Sequence, residues 1–186
     1  DGDAGLIGFG APYGGRPGQI ALSFGGFELA LVTPKIDADL TTDDGVDTAD
    51  GTAKRIIPKL EASWGMAFDA WNFDLFGGYQ YYSIKNVTSL DNGDTNDISV
   101  DSYVVGVSGM FNFGPAFVGA QFQYGQNLGN ARWSGGQGQT TATWDGDDDI
   151  NDARTYGGIF IAGMKVSDML SFEGGIGYIV DDPKDA

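Results

Sequence analysis

An all-β chain of antiparallel, up-and-down strands is the fold class this sequence predicts, and three observations predict it. Apolar residues fall on alternate positions over long stretches. Two- and three-residue turn signals join such stretches into pairs, and acidic segments separate the pairs. In residues 71–81, Trp71, Phe73, Leu75, Gly77, Tyr79 and Tyr81 share one parity, against Asn72, Asp74, Phe76, Gly78 and Gln80. Residues 103–113 repeat the pattern with Tyr103, Val105, Val107, Gly109, Phe111 and Phe113. A side-chain period of two is that of a β-strand, with each parity on its own face. A length of about ten residues, apolar on one face only, also suits a strand that crosses an outer membrane.

Taken in order, the first hairpin is expected at about 17–33, turning at Gly25-Gly26, and the second at about 58–83, turning at Asp69-Ala70. The third is expected at about 101–126, turning at Gly114-Pro115, and the fourth at about 155–180, turning at Ser167-Asp168-Met169. Short connections between alternating runs are hairpin signals. Three long acidic loops are expected between them. Residues 34–54 carry Asp37, Asp39, Asp43, Asp44, Asp47 and Asp50; residues 85–100 carry Asp91, Asp94 and Asp97; residues 127–154 hold a Gly/Gln/Thr stretch and then Asp145 to Asp152. Short turns at one end and long polar loops at the other predict a transmembrane antiparallel β-barrel, its long loops outside the cell.

The aromatic residues sharpen that expectation. On the apolar parity, Tyr79, Tyr81, Tyr103, Tyr124, Tyr156 and Tyr178 lie toward the long-loop end of their strands. Phe24, Phe27, Phe68, Trp71, Phe73, Phe111, Phe113 and Phe172 lie toward the short-turn end. Two belts enclosing smaller apolar residues match the girdles at the two membrane interfaces. The opposite parity carries Glu28, Lys59, Glu61, Asp74, Gln80, Gln121, Gln123, Lys165 and Glu173. A charge facing lipid costs a few kcal/mol near the midplane, so these residues are expected to line a water-filled interior. Small residues among them, such as Gly106, Gly119 and Gly163, suggest an interior that is not tightly filled.

Composition removes other functions. The chain has neither Cys nor His, which excludes thiolate chemistry, Ser–His and Cys–His nucleophile pairs and the usual zinc sites. No enzymatic activity is expected. The net charge is −16, and of 26 acidic residues only Glu28, Glu61 and Glu173 are glutamate. Aspartate favours turns and loops over strands. With no basic stripe, nucleic acid is not an expected partner. Asp145, Asp147 and Asp149 alternate as in the first half of a calcium-binding loop, but Ile150 and Tyr156 stand where that loop requires Gly and Glu. Asp91, Asp94 and Asp97 form a second oxygen-rich stretch. Two readings stand open for the first cluster: a Ca2+ site on an external loop, and a solvated acidic loop, which is preferred.

At this point the chain resembles a Gram-negative outer-membrane porin of the general-diffusion, trimeric type. The residues that carry the resemblance are the fourfold alternation of short turn and long loop, and stretches such as Ser99 to Phe113 followed by Gly114-Pro115 and Ala116 to Tyr124. The resemblance implies passive diffusion of small hydrophilic solutes, a homotrimer, contact with outer-membrane lipid and lipopolysaccharide, and no cofactor. It further implies that Phe9 to Arg16 is the loop that folds into the channel, with Tyr13 and Arg16 at the constriction. An ordinary external loop is the equal alternative there. The acidic loop-like stretch from Val180 and the loop-like stretch from Asp1 to Gly18 suggest an interior part of a barrel of about 16 strands. Cation preference follows from the acidic mouth. A barrel scaffold or adhesin-like protein whose loops or interior bind a partner is the competing expectation.

Overall fold

The computed structural model describes residues 18–34, 36, 40–42, 45, 47–55, 57–133 and 140–183. Tyr13, Arg16, Asp37, Asp39, Asp43 and Asp44 lie outside the described residues, as does the 9–16 loop expectation. The described chain is all-β. Its strands are β1 (Gln19–Phe24), β2 (Phe27–Val32), β3 (Thr52–Arg55), β4 (Lys59–Ala67), β5 (Trp71–Thr88) and β6 (Thr95–Phe113), then β7 (Ala116–Gln126), β8 (Thr143–Trp144), β9 (Ile150–Asn151), β10 (Ala153–Ser167) and β11 (Leu170–Pro183).

Eight of these form an antiparallel meander in the order β1-β2-β4-β5-β6-β7-β10-β11. The short β3 continues the line of β4, pairing Thr52–Arg55 with Tyr82–Lys85 on the same edge of β5. The sheet is open among the described residues: β1 and β11 each have one neighbour and do not pair with each other. Its tight turns follow from their residues. Gly25 and Gly26 have φ of 58° and 81°, as a two-residue turn twisted to suit its strands requires. Gly114 has φ of 71° with Pro115 after it, and Phe113 pairs directly with Ala116. Asp168-Met169 alone forms the last turn, because Ser167 pairs with Leu170.

Register sorts the side chains onto two faces, since directly opposed residues share a face. Val32 stands opposite Lys59, Glu61 opposite Gly78, Asp74 opposite Ser108, Gln80 opposite Ser102, Gly106 opposite Gln123, and Lys165 opposite Ser171. One face therefore carries every polar-parity residue named above from the sequence. The other face is apolar and uncovered: Phe24 is 88% exposed, Ile176 73% and Tyr178 70%. Trp64, Leu75, Val105, Phe122 and Phe160 on it are exposed as well.

Packing is one-sided. β5 and β6 run well beyond the apolar band, so much of the expected 85–100 loop is strand, to Thr88 and again from Thr95. Alternation continues there with Ile84, Ile98 and Val100 on the polar-parity side, a signal hidden among Asn, Asp and Ser. These residues meet Leu40, Ala49, Ala142 and Trp144 in a small buried core that joins all three long loops. A parallel bridge from Thr42 to Trp144 ties the first loop to the third. Between Ile84 and Val87 the register shifts, Lys85 and Asn86 facing the single Asp97. This bulge, with Asn86 at φ 58°, turns Val87 into the core.

Candidate functional site

Charge and hydrogen-bonding capacity concentrate on the polar-parity face, where the third loop folds back across the sheet. Asn127 opens that loop at φ 51°. Its side-chain amide donates to Asp101 O at 2.9 Å and Asp152 Oδ1 at 2.7 Å, while its Oδ1 accepts the Ala153 N–H at 2.9 Å. The Asn127 N–H donates to Ala153 O at 2.8 Å. The two ends of the loop are thereby closed on each other.

Residues 127–133 then form a tight strap. Asn130, Ala131 and Arg132 donate their N–H groups to the carbonyls three residues back. The Trp133 N–H reaches Leu128 O at 2.9 Å, and Arg132 sits at φ 56°. This pair of bonds around one left-handed residue is the arrangement that ends many helices. It turns Trp133 down onto the sheet, where its ring covers Gly78. Leu128 and Ala131 join Trp133 and Val104 in a second buried cluster against Phe76.

Polar contacts fix the strap to the strands beneath. Lys59 of β4 is 2% exposed; its Nζ lies 2.8 Å from Glu61 Oε1 and 3.2 Å from Ala131 O, and 5.0 Å from the centre of the Trp133 ring. Trp133 Nε1 donates to Glu61 Oε1 at 2.7 Å. Gln80 Nε2 donates to Asn130 O at 3.0 Å, and Asn130 Nδ2 to the Tyr82 hydroxyl at 3.1 Å. Asn130 Oδ1 accepts the Ala142 N–H at 2.9 Å, binding the strap to the cap that the three long loops form around their shared core.

The strap divides the residues expected to line an interior. Lys59, Gln80 and Gln123 are buried, and Glu61 is partly covered and held by Lys59 and Trp133. Glu28, Asp74, Gln121, Lys165 and Glu173 stay wholly or partly accessible, Glu28 accepting a bond from Ser23 Oγ at 3.1 Å. Two of the small residues on this face are covered by neighbouring rings. A Cβ at Gly106 would run into the Phe76 ring, and one at Gly163 into the Phe117 ring, each ring belonging to the directly opposed residue.

Sequence reasoning missed Asn127, Asn130 and Trp133. Trp133 did carry a signal, since a large aromatic inside a Gly/Gln/Thr loop needs somewhere to be buried. The Asp145–Asp149 run is organised by its own backbone: Asp145 Oδ1 accepts the N–H groups of Asp147 and Asp149 at 2.9 and 3.2 Å. Asp147 Oδ1 accepts from Asn96 Nδ2 at 3.1 Å. Among the described residues, no three carboxylates are grouped as metal ligands.

Comparison with protein-family models, curated proteins and solved structures finds no match to this chain.

Proposed function

We propose that the sheet is part of a transmembrane β-barrel in a Gram-negative outer membrane, forming a water-filled passage for small hydrophilic solutes and ions with a modest cation preference. One observation carries this reading: the two aromatic belts on the uncovered face run oblique to the strands in the same direction, the tyrosine belt more steeply between β5 and β11. Tyr178 stands opposite Gly158, Gly158 opposite Phe122, Phe122 opposite Val107 and Val107 opposite Leu75. The tyrosine belt has thus dropped four to six residues, from Tyr79 and Tyr81, in crossing from β5 to β11. At the other end, Phe27 stands level with Trp64 and so with Leu75. Phe172 stands level with Met164, Ala116 and Phe113, two residues beyond the Phe111–Trp71 pair.

About one residue of drop per strand, at roughly 3.3 Å per residue and 4.8 Å between strands, corresponds to a tilt of about 35–40°. Strands of a closed membrane barrel tilt by about that angle, which brings both belts toward the membrane plane. Along β5 the belts are Trp71 to Tyr81 apart, about 33 Å on the strand and about 25 Å after the tilt, close to the apolar height of outer-membrane barrels. Unpaired edges at β1 and β11 would be costly in lipid, so closure by further strands belongs to the proposal.

In this reading the polar-parity face is the lumen wall and the strap narrows it. Glu28, Asp74 and Glu173 outnumber Lys165 among its accessible charges, and the acidic cap favours cations at the mouth. The test is single-channel conductance of the full-length protein in a planar bilayer under a KCl gradient. Ohmic steps with a cation-favouring reversal potential are expected. Insertion without conductance would overturn the passage and favour a scaffold whose interior holds a partner.

A further inference from the structure

We propose that Lys59 is the positioning residue for the strap: it fixes residues 127–133 against the wall and so sets the width of the passage, while its own charge is withdrawn from passing ions. The role in width rests on the passage reading; the role in holding the strap does not.

An ammonium group has three N–H donors and no acceptor. The Lys59 ammonium is held by Glu61 Oε1 and Ala131 O and lies over the face of the Trp133 ring. Two of these three partners belong to the strap. Glu61, the third, is itself tied to the strap through Trp133 Nε1. With the strap seated, the lysine exchanges its water for a carboxylate, a carbonyl and a π face, which is what a buried charge needs. Without the ammonium, Ala131 O loses its donor and Glu61 loses its counter-charge beneath the Trp133 ring, so the seated strap is held less firmly. The contact therefore has the character of a catch.

The sequence contains no cysteine, so an Ala131→Cys substitution places a unique thiol on the strap at a residue that is 0% exposed. Its reaction with a charged maleimide in detergent micelles reads strap lifting whether or not the protein conducts. With Lys59 present the thiol should be protected. In K59M, which keeps the length and apolar stem but not the charge, labelling should rise about tenfold to a hundredfold, the effect of losing one buried charge-assisted bond. K59R should restore protection, at least in part. Circular dichroism checks that all variants keep the sheet.

Equal protection in K59M and in the Lys59 protein would overturn the proposal, leaving the strap held by Leu128 and Trp133 alone. Rapid labelling with Lys59 in place would overturn it too, because the strap would then not be seated. In the bilayer, K59M should raise conductance and current noise, whereas Asp74→Asn should shift the reversal potential with noise unchanged. Conductance and noise of K59M equal to those of the Lys59 protein would be contrary to the proposed role in width.

Discussion

At the scale of single residues, Asn127 and two aspartates carry the loops. Asn127 is fully buried in a left-handed conformation that asparagine tolerates better than most residues, and its amide satisfies three partners. Asn127→Ala should cost about 2–4 kcal/mol of local stability, since it strands buried groups at Asp101 and Ala153 and strains the backbone. Hydrogen exchange at Ala153 would report it; unchanged protection would contradict this account. Asp50 accepts the Thr88 N–H and hydroxyl, and Asp97 accepts Lys85 Nζ and the Asn86 N–H. The Thr88 bonds hold the Asp50 carboxyl below its ordinary range, and the Lys85 ammonium with the Asn86 N–H does the same for Asp97. The unfolded hairpin therefore binds these protons at higher pH than the folded one. Their stabilisation is complete above the ordinary carboxylate value of about 4 and is lost as pH falls through the lowered folded values. Asn86 and Thr88 amides, corrected for intrinsic exchange, should lose protection in that acid window and in none above it.

At the scale of elements, the strap ends on a residue poorly suited to its backbone. Arg132 holds a positive φ that glycine adopts freely, and its side chain is exposed. Arg132→Gly should stabilise the strap by up to about 1 kcal/mol, read as slower maleimide labelling in the A131C background; faster labelling would mean that the arginine side chain holds the strap. The hairpins were legible because alternation and Gly25-Gly26 or Gly114-Pro115 are local signals. β3 was not, because Thr52 to Arg55 has no apolar alternation and pairs only because β5 outruns β4. The long ends of β5 and β6 were hidden by Asp91 to Asp97, a stretch that reads as loop although Asp97 bonds across the hairpin rather than breaking it. The polar face was readable residue by residue. What covers it was not, since a strap's landing place depends on Val104, Phe76 and Gly78 in strands far away in sequence.

At the scale of the whole molecule, two adjacent residues separate a membrane sheet from a soluble one. Val107 lies midway between the belts on the uncovered face, and Ser108 lies beside it on the polar face, opposite Asp74. In lipid vesicles Val107→Lys should lose about 2–4 kcal/mol of unfolding free energy, and Ser108→Lys less than about 1 kcal/mol. Losses below about 1 kcal/mol in both would refute membrane burial of that face. The bridge from Thr42 to Trp144 has a kinetic consequence. Sheet neighbours in this meander are consecutive strands, so its pairings are more local than the contacts of the cap. The cap joins residues from opposite halves of the sequence, and its loop-closure entropy is recovered only after the strands between them are in register. Refolding should therefore divide into an early rise of β-signal and a later change in Trp144 fluorescence, and under mild denaturant the cap should be the first part to open.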